Sequence, residues 1–203
     1  MMKLTLTVLL LSMILGTSLA VKKVNVHLFY ETICPGCQQE FQRSVVPAHK
    51  NIGQYLNFDL VPWGNARIFK NDYVFGIICQ HGEQECWGNQ FHACVINKLS
   101  YEEAFNFVDC FFRTHENLKD VKGKCQSCSK ELNIDFDKMK QCAESDEGQN
   151  YVLGMNNRTI AIAKGKTGVP WTVIEGVATG DDITEYACKE FLKAQGVEYC
   201  QKY

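Results

Sequence analysis

The stretch FYETICPGCQQEF, residues 29 to 41, places two cysteines, Cys34 and Cys37, either side of Pro35-Gly36. A thiolate attacks a disulfide sulfur, and a second thiol close by resolves the mixed disulfide that forms. The pair therefore suits thiol–disulfide exchange, with Cys34 as nucleophile and Cys37 as resolving thiol. The blander alternative is a stabilising crosslink, but so short a loop restricts the unfolded chain little. Pro35 suits a first helical turn, where its missing N–H would have no intrahelical partner. Cys34 then falls at or just before a helix N-terminus, where unpaired N–H groups and the helix dipole favour a thiolate. No lysine, arginine or histidine lies between Glu31 and Glu40, and Glu31 opposes an anion. The helix end is thus the main expected cause of a lowered Cys34 pKa.

The flanking elements must set this geometry. Val24, Val26, Leu28 and Tyr30 alternate on one face, predicting a strand over 24–30. QQEFQRSVV predicts a helix that Pro47 bends or ends. Residues 55–63 predict a second strand, closed by Pro62 and the turn Gly64-Asn65-Ala66. Strand, helix and strand suit a right-handed crossover in a parallel sheet. From about residue 79 to 164 the pattern turns helical. Phe91, Cys94, Val95 and Leu99 share a face, and Ser100 with Glu103 forms a capping box ahead of Ala104 to Phe112. Strand character returns at VPWTVIEGVATG, with a hairpin turn at Glu175-Gly176, and ITEYACKEFLKA predicts a closing helix near Gly196. The class is α/β, with a cysteine-rich helical insertion at about 79–164.

The N-terminus decides which cysteine chemistry applies. Lys3, an apolar run from Leu4 to Leu15 and the small-residue site Ser18-Leu19-Ala20 predict a signal peptide over residues 1–20. The run is short for a membrane span, and no later stretch is long and apolar enough to be one. Residues 21–203 then form one domain with its insertion. All 11 cysteines follow the expected cut, and in an oxidising route most of them should be crosslinked. The odd count leaves at least one outside intramolecular pairs. Asn157-Arg158-Thr159 is the N-x-S/T glycosylation acceptor. A formal net charge of −2 gives no reason to expect nucleic acid or an anionic membrane as partner.

Metal binding is the main competing use of these cysteines. Cys34/Cys37 and Cys125/Cys128 offer four thiolates, but 87 residues separate the pairs, far more than in a zinc ribbon. His81 and His92 lie near Cys79, Cys86 and Cys94 at a spacing that fits no zinc pattern. No metal or other cofactor is expected.

The string CQHGEQECWGNQFHAC, residues 79 to 94, matches C-Q-H-G-x-x-E-C-x-x-N-x-x-x-x-C at Cys79, Gln80, His81, Gly82, Glu85, Cys86, Asn89 and Cys94. It resembles the signature of the gamma-interferon-inducible lysosomal thiol reductase family. LVPWGNA and VPWTVIEG extend the resemblance over nearly the whole mature chain. It implies a thioredoxin-like fold with a helical insertion. In such folds a cis-proline loop packs beside the two cysteines and presents a substrate backbone, a role that falls to Val169 and Pro170. The redox pair maps onto Cys34 and Cys37. The signature cysteines Cys79, Cys86 and Cys94 are expected to be structural disulfide partners, and His81 and Asn89 to fix local turns or hydrogen bonds. One cysteine is usual in the family where this chain has Cys125 and Cys128, so either is a candidate for the odd thiol. Cys188 and Cys200 flank a helix end and are candidates to pair.

The resemblance further implies reduction of protein disulfides in endosomes or lysosomes, in a lysosomal or secreted protein. A small thiol such as cysteine or glutathione would regenerate the pair. The role could be antigen processing, innate defence or digestion. Acid is hostile to this chemistry. At pH 5 an ordinary thiol is about 1 part in 3,000 thiolate, while a pKa of about 6 raises that to about 0.1. The weaker base is a poorer nucleophile, which leaves a net gain of about 20-fold. Two other functions fit the same sequence: a disulfide oxidase or isomerase of the secretory route, and a non-enzymatic disulfide-rich binding protein. The ending CQKY carries no retention signal and argues against a resident of the endoplasmic reticulum.

Overall fold

The computed structural model describes residues 20–72, 75–113 and 119–203. The expected signal peptide lies outside these, apart from Ala20. Strands β1 (Val24–Tyr30), β2 (Leu56–Pro62), β5 (Trp171–Ile174) and β6 (Val177–Thr179) form one sheet in the order β2-β1-β5-β6. β1 and β2 run parallel, with Tyr30 opposite Pro62, and the other neighbours are antiparallel. This follows from the connections. The β1–β2 link is long enough for a helical crossover, whereas β5 and β6 are joined by a tight turn. Glu175 and Gly176 both have positive φ there, as a two-residue hairpin of matching twist demands.

The side-chain alternation of β1 divides the core in two. Val24, Val26, Leu28 and Tyr30 face one apolar cluster, while Phe29 faces another with Val61, Trp63 and Val173. Helices α1 (Pro35–Glu40) and α2 (Val46–Ile52) line the first cluster through Cys37, Ala48 and Ile52. Pro47 does not end the helical run; it takes the second position of α2. Residues Phe41–Val45 widen into a π turn, and the N–H of Val46 reaches back to the carbonyl of Phe41. This offset accommodates a proline with no N–H to give, and the helical run continues to Ile52.

After β2 comes an element that the residue patterns did not predict, a hairpin of β3 (Arg67–Lys70) and β4 (Phe75–Ile78). Both strands are largely exposed, so neither shows the alternation by which a half-buried strand is recognised. Five helices follow: α3 (Glu83–Lys98), α4 (Tyr101–Arg113), α5 (Val121–Glu131), α6 (Phe136–Ala143) and α7 (Asp146–Ile162). The Ser100–Glu103 capping box is formed in both directions. α3 bridges the two clusters, with Phe91, Cys94 and Val95 on one side and Ala93 on the other. The chain closes with α8 (Ile183–Ala187), a π turn at Cys188–Leu192 and Gly196 at φ 80°. The closing helix is thus shorter and less regular than expected.

Candidate active site

Cys34 ends the loop that leaves β1 and caps α1. Its extended backbone (φ −91°, ψ 113°) turns the sulfur toward the first helical turn, where it accepts a hydrogen bond from the N–H of Cys37 at 3.0 Å. Pro35 takes the first helical position, so no N–H is lost there. Cys37 is wholly buried and Cys34 nearly so, and the two are joined as a disulfide with their Cα atoms 5.2 Å apart. The Val169–Pro170 peptide is cis. The Val169 carbonyl lies 3.7 Å from the Cys34 sulfur, and a Cβ on Gly36 would sit 3.1 Å from Pro170 Cδ. A wholly buried Cys37 sulfur, a Cys34 sulfur that accepts the Cys37 N–H and an adjoining cis-proline loop together give a geometry suited to thiol–disulfide exchange.

The signature string forms the wall behind this site. Cys79 pairs with Cys86, and Cys94 pairs with Cys142 on α6. Gly82 adopts φ 88° with ψ −166°, a conformation reserved for glycine, and so starts α3. Gln80 accepts a hydrogen bond from the Asn65 side chain. Glu85 is fully buried and receives the N–H of His81 at 3.1 Å, while its other oxygen lies 2.5 Å from His81 Nδ1. Asn89 accepts two hydrogen bonds from Thr32. His92 is buried among Phe107, Phe111 and Phe112, with its Nδ1 3.0 Å from the Tyr30 hydroxyl.

Glu31, Thr32, Asn65 and Lys166 are parts of this wall that sequence reasoning did not single out for it. Glu31 is buried, and burial raises its carboxyl above the ordinary value against the opposing hydrogen bond from Asn65 N–H. Its opposition to a Cys34 anion is thereby weaker than that of an exposed glutamate. No local pattern distinguishes a buried Glu31 from an exposed one, because its partners come from residues 65, 81 and 166. Among the described residues, Glu31, His81 and Glu85 are the group whose ligand-type atoms come within 4.8 Å of one another. Hydrogen bonds within the protein already engage them, so the group reads as a polar brace.

The remaining cysteines do not meet the site. Cys110 pairs with Cys128 and Cys188 with Cys200, while Cys125 is a buried free thiol. The two Cys-x-x-Cys pairs therefore do not converge. Asn157 is exposed on α7, whereas Thr159 of the same triplet is buried and donates its hydroxyl to the Met155 carbonyl.

Fold and site define the class: a thioredoxin-like thiol–disulfide oxidoreductase. The oxidised BdbD of Bacillus subtilis superposes with a TM-score of 0.63 at 13% identity, covering 87% of this chain and 92% of that one. The DsbA of Chlamydia trachomatis gives the same score and identity over 87% and 89%. Residues 25–132 match the family described as gamma interferon inducible lysosomal thiol reductase, and the chain belongs to that family. The goldfish (Carassius auratus) gamma-interferon-inducible lysosomal thiol reductase is 32% identical over 163 residues, which cover 78% of this chain and 62% of the relative. GILT-like protein 1 of Drosophila melanogaster is 28% identical over 80% of this chain and 70% of its own length. Among the described residues no helix is long and apolar enough to cross a membrane.

Proposed function

We propose that the protein reduces disulfides of polypeptide substrates in an acidic compartment, with Cys34 as nucleophile and Cys37 as resolving thiol. The observation that carries the reading is the hydrogen bond from Cys37 N–H to the Cys34 sulfur, beside the Val169 carbonyl. In the reduced protein that N–H and the helix end stabilise a Cys34 thiolate. The thiolate attacks one sulfur of a substrate disulfide, and the departing sulfur leaves as a thiolate that takes a proton. Cys37 gives up its proton and attacks the Cys34 sulfur, which releases the second substrate thiol. Two electrons and two protons have then moved to the substrate, and Cys34 and Cys37 are a disulfide. A small thiol such as cysteine or glutathione restores the dithiol by the same exchange.

Val169 and Pro170 are assigned the substrate backbone. A groove of about 750 Å³ is walled in part by Trp63, Asn65, Ile160, Lys166 and Thr167, the last of which stands two positions before Val169 in the chain. It offers room for the chain flanking a disulfide. The lysosomal relatives and the expected export signal support an endosomal, lysosomal or secreted protein. The buried Thr159 hydroxyl means that a glycan on Asn157 must be added before α7 folds.

Cys34→Ser should abolish insulin reduction at about pH 5, and iodoacetamide alkylation of wild-type Cys34 should have its midpoint well below the free-cysteine value of about 8.5. Equal reduction by the variant, or none by either protein, would favour a disulfide-rich binding protein. An equilibrium constant against glutathione that strongly favours the reduced Cys34–Cys37 pair, the mark of an oxidising disulfide, would favour an oxidase.

A further inference from the structure

The strongest feature outside the redox pair is the contact between the signature helix α3 and the two residues that lead into the Cys34 loop. Thr32 is wholly buried, two residues before Cys34. Its backbone N–H donates to Asn89 Oδ1 at 3.0 Å, and its hydroxyl lies 3.2 Å from the same oxygen and 3.3 Å from the Glu85 carbonyl. Gly88 makes the approach possible, since a Cβ there would stand 2.5 Å from Thr32 Oγ1. The preceding residue is held as well. The Glu31 carboxylate accepts the Asn65 N–H at 2.9 Å, with His81 Nδ1 3.6 Å away. The Glu31 carbonyl in turn accepts the N–H of Cys34 at 3.4 Å. A path thus runs from α3 by hydrogen bond to Thr32, along the chain to Glu31, and by the Glu31 carbonyl to the backbone N–H of Cys34.

Asn89 itself is an uneconomical residue for stability alone. It is buried, and its Nδ2 finds no hydrogen-bond partner among the described residues. An unpaired buried amide N–H is destabilising, where an apolar side chain would incur no such loss. What the position supplies is an acceptor aimed at Thr32.

We propose that Asn89 is a positioning residue for the thiol–disulfide reaction: through Thr32 it fixes the strand-to-helix turn that aims the Cys34 sulfur at the Cys37 N–H and the Val169 carbonyl. The proposal rests on the assignment of Cys34 as nucleophile. Its consequence is geometric. If the turn relaxes, the sulfur loses alignment with the N–H that stabilises its anion, and attack slows while substrate contacts along the groove persist.

The test uses the full mature protein and insulin as substrate. In Asn89→Ala, kcat should fall about 10-fold with KM within about twofold, and the alkylation midpoint of Cys34 should move up toward that of free cysteine. Thr32→Val should shift both quantities the same way by less, because its N–H bond to Asn89 survives. Thr32→Ser, which keeps the hydroxyl, should return both to near wild type. A purely structural role would lower the melting temperature without moving the alkylation profile. An Asn89→Ala protein that is folded and has wild-type kcat and midpoint overturns the proposal. If Asn89→Ala does not fold, Thr32→Val decides, and a wild-type alkylation profile there overturns it equally. Cys34→Ser runs alongside. Its retained activity would sink the nucleophile assignment, whereas its loss beside a wild-type-like Asn89→Ala sinks only the positioning role.

Discussion

The Tyr30 hydroxyl lies 3.0 Å from His92 Nδ1, and both side chains are wholly buried. Burial, with a smaller contribution from the nearby Lys124, pushes the His92 pKa down to about 3. The unfolded chain takes up a proton here below about pH 6.5, and the folded chain does not until about pH 3. Stability must therefore decrease as the pH falls through that window, by about 2 kcal/mol between pH 7 and pH 5. His92→Gln keeps an acceptor for Tyr30 and cannot titrate. Relative to wild type it should gain about that amount on going from pH 7 to pH 5, as measured by urea unfolding at each pH. An unchanged difference would mean that His92 is not neutral in the folded protein at pH 5.

Glu31 carries the opposite sign. Burial raises its carboxyl, so the folded protein binds this proton more readily than the unfolded chain does. Its contribution favours the folded state in acid and is lost as the pH rises through the folded pKa. Glu31→Gln removes the titration, so its stability relative to wild type should be higher at pH 7 than at pH 5. The reverse order in paired denaturation curves would contradict the burial argument.

The disulfides differ in reach. Cys94–Cys142 closes a separation of 48 residues and ties α3 to α6, whereas Cys79–Cys86 closes only 7. On chain-entropy grounds, replacing the first pair with alanines should cost about 4 kcal/mol and the second about 2 kcal/mol. Chemical denaturation of the two double variants compares them directly, and a larger loss for the short loop would refute this ranking.

Two glycines allow close approach. A Cβ on Gly88 would meet Thr32 Oγ1 and, at 2.7 Å, Val121 Cγ1, both in packed surroundings. Gly88→Ala should lower stability by about 1–3 kcal/mol. A Cβ on Gly36 meets only Pro170 Cδ closely, at 3.1 Å, at the edge of the site. Gly36→Ala should lower kcat/KM about 10-fold with less effect on stability than Gly88→Ala. Wild-type turnover by Gly36→Ala would show that the proline loop gives way freely.

Cys125 is wholly buried on α5, and burial holds its thiol well above the ordinary range. The oxidised native protein should therefore release little colour with a disulfide reagent at neutral pH, and one equivalent after denaturation in guanidinium. A rapid full equivalent in the native protein would place the free thiol elsewhere.

Much of the fold was visible as local pattern. β1 shows period-two alternation, Ser100 and Glu103 a cap, and Glu175-Gly176 a tight turn, and each of these depends on neighbours within a few residues. Of the two expectations for Pro47, a bend or an end, the end is excluded, because the π turn ahead of it removes the conflict with a continuing helix. The β3–β4 hairpin escaped because two exposed strands leave no alternation to find.

The sequence by itself determined the redox pair's spacing, its place at a strand-to-helix junction, the proline before β5 and the family signature. All of these lie within short windows where covalent geometry and turn chemistry govern. Tertiary structure alone decided that Asn89 meets Thr32, that Glu31 is buried beside His81, and which of Cys125 and Cys128 joins Cys110. Those relationships link residues from 18 to 57 positions apart. Burial and hydrogen-bond pairing at such separations depend on how α3 and α5 pack against the end of β1, which no stretch of local sequence specifies.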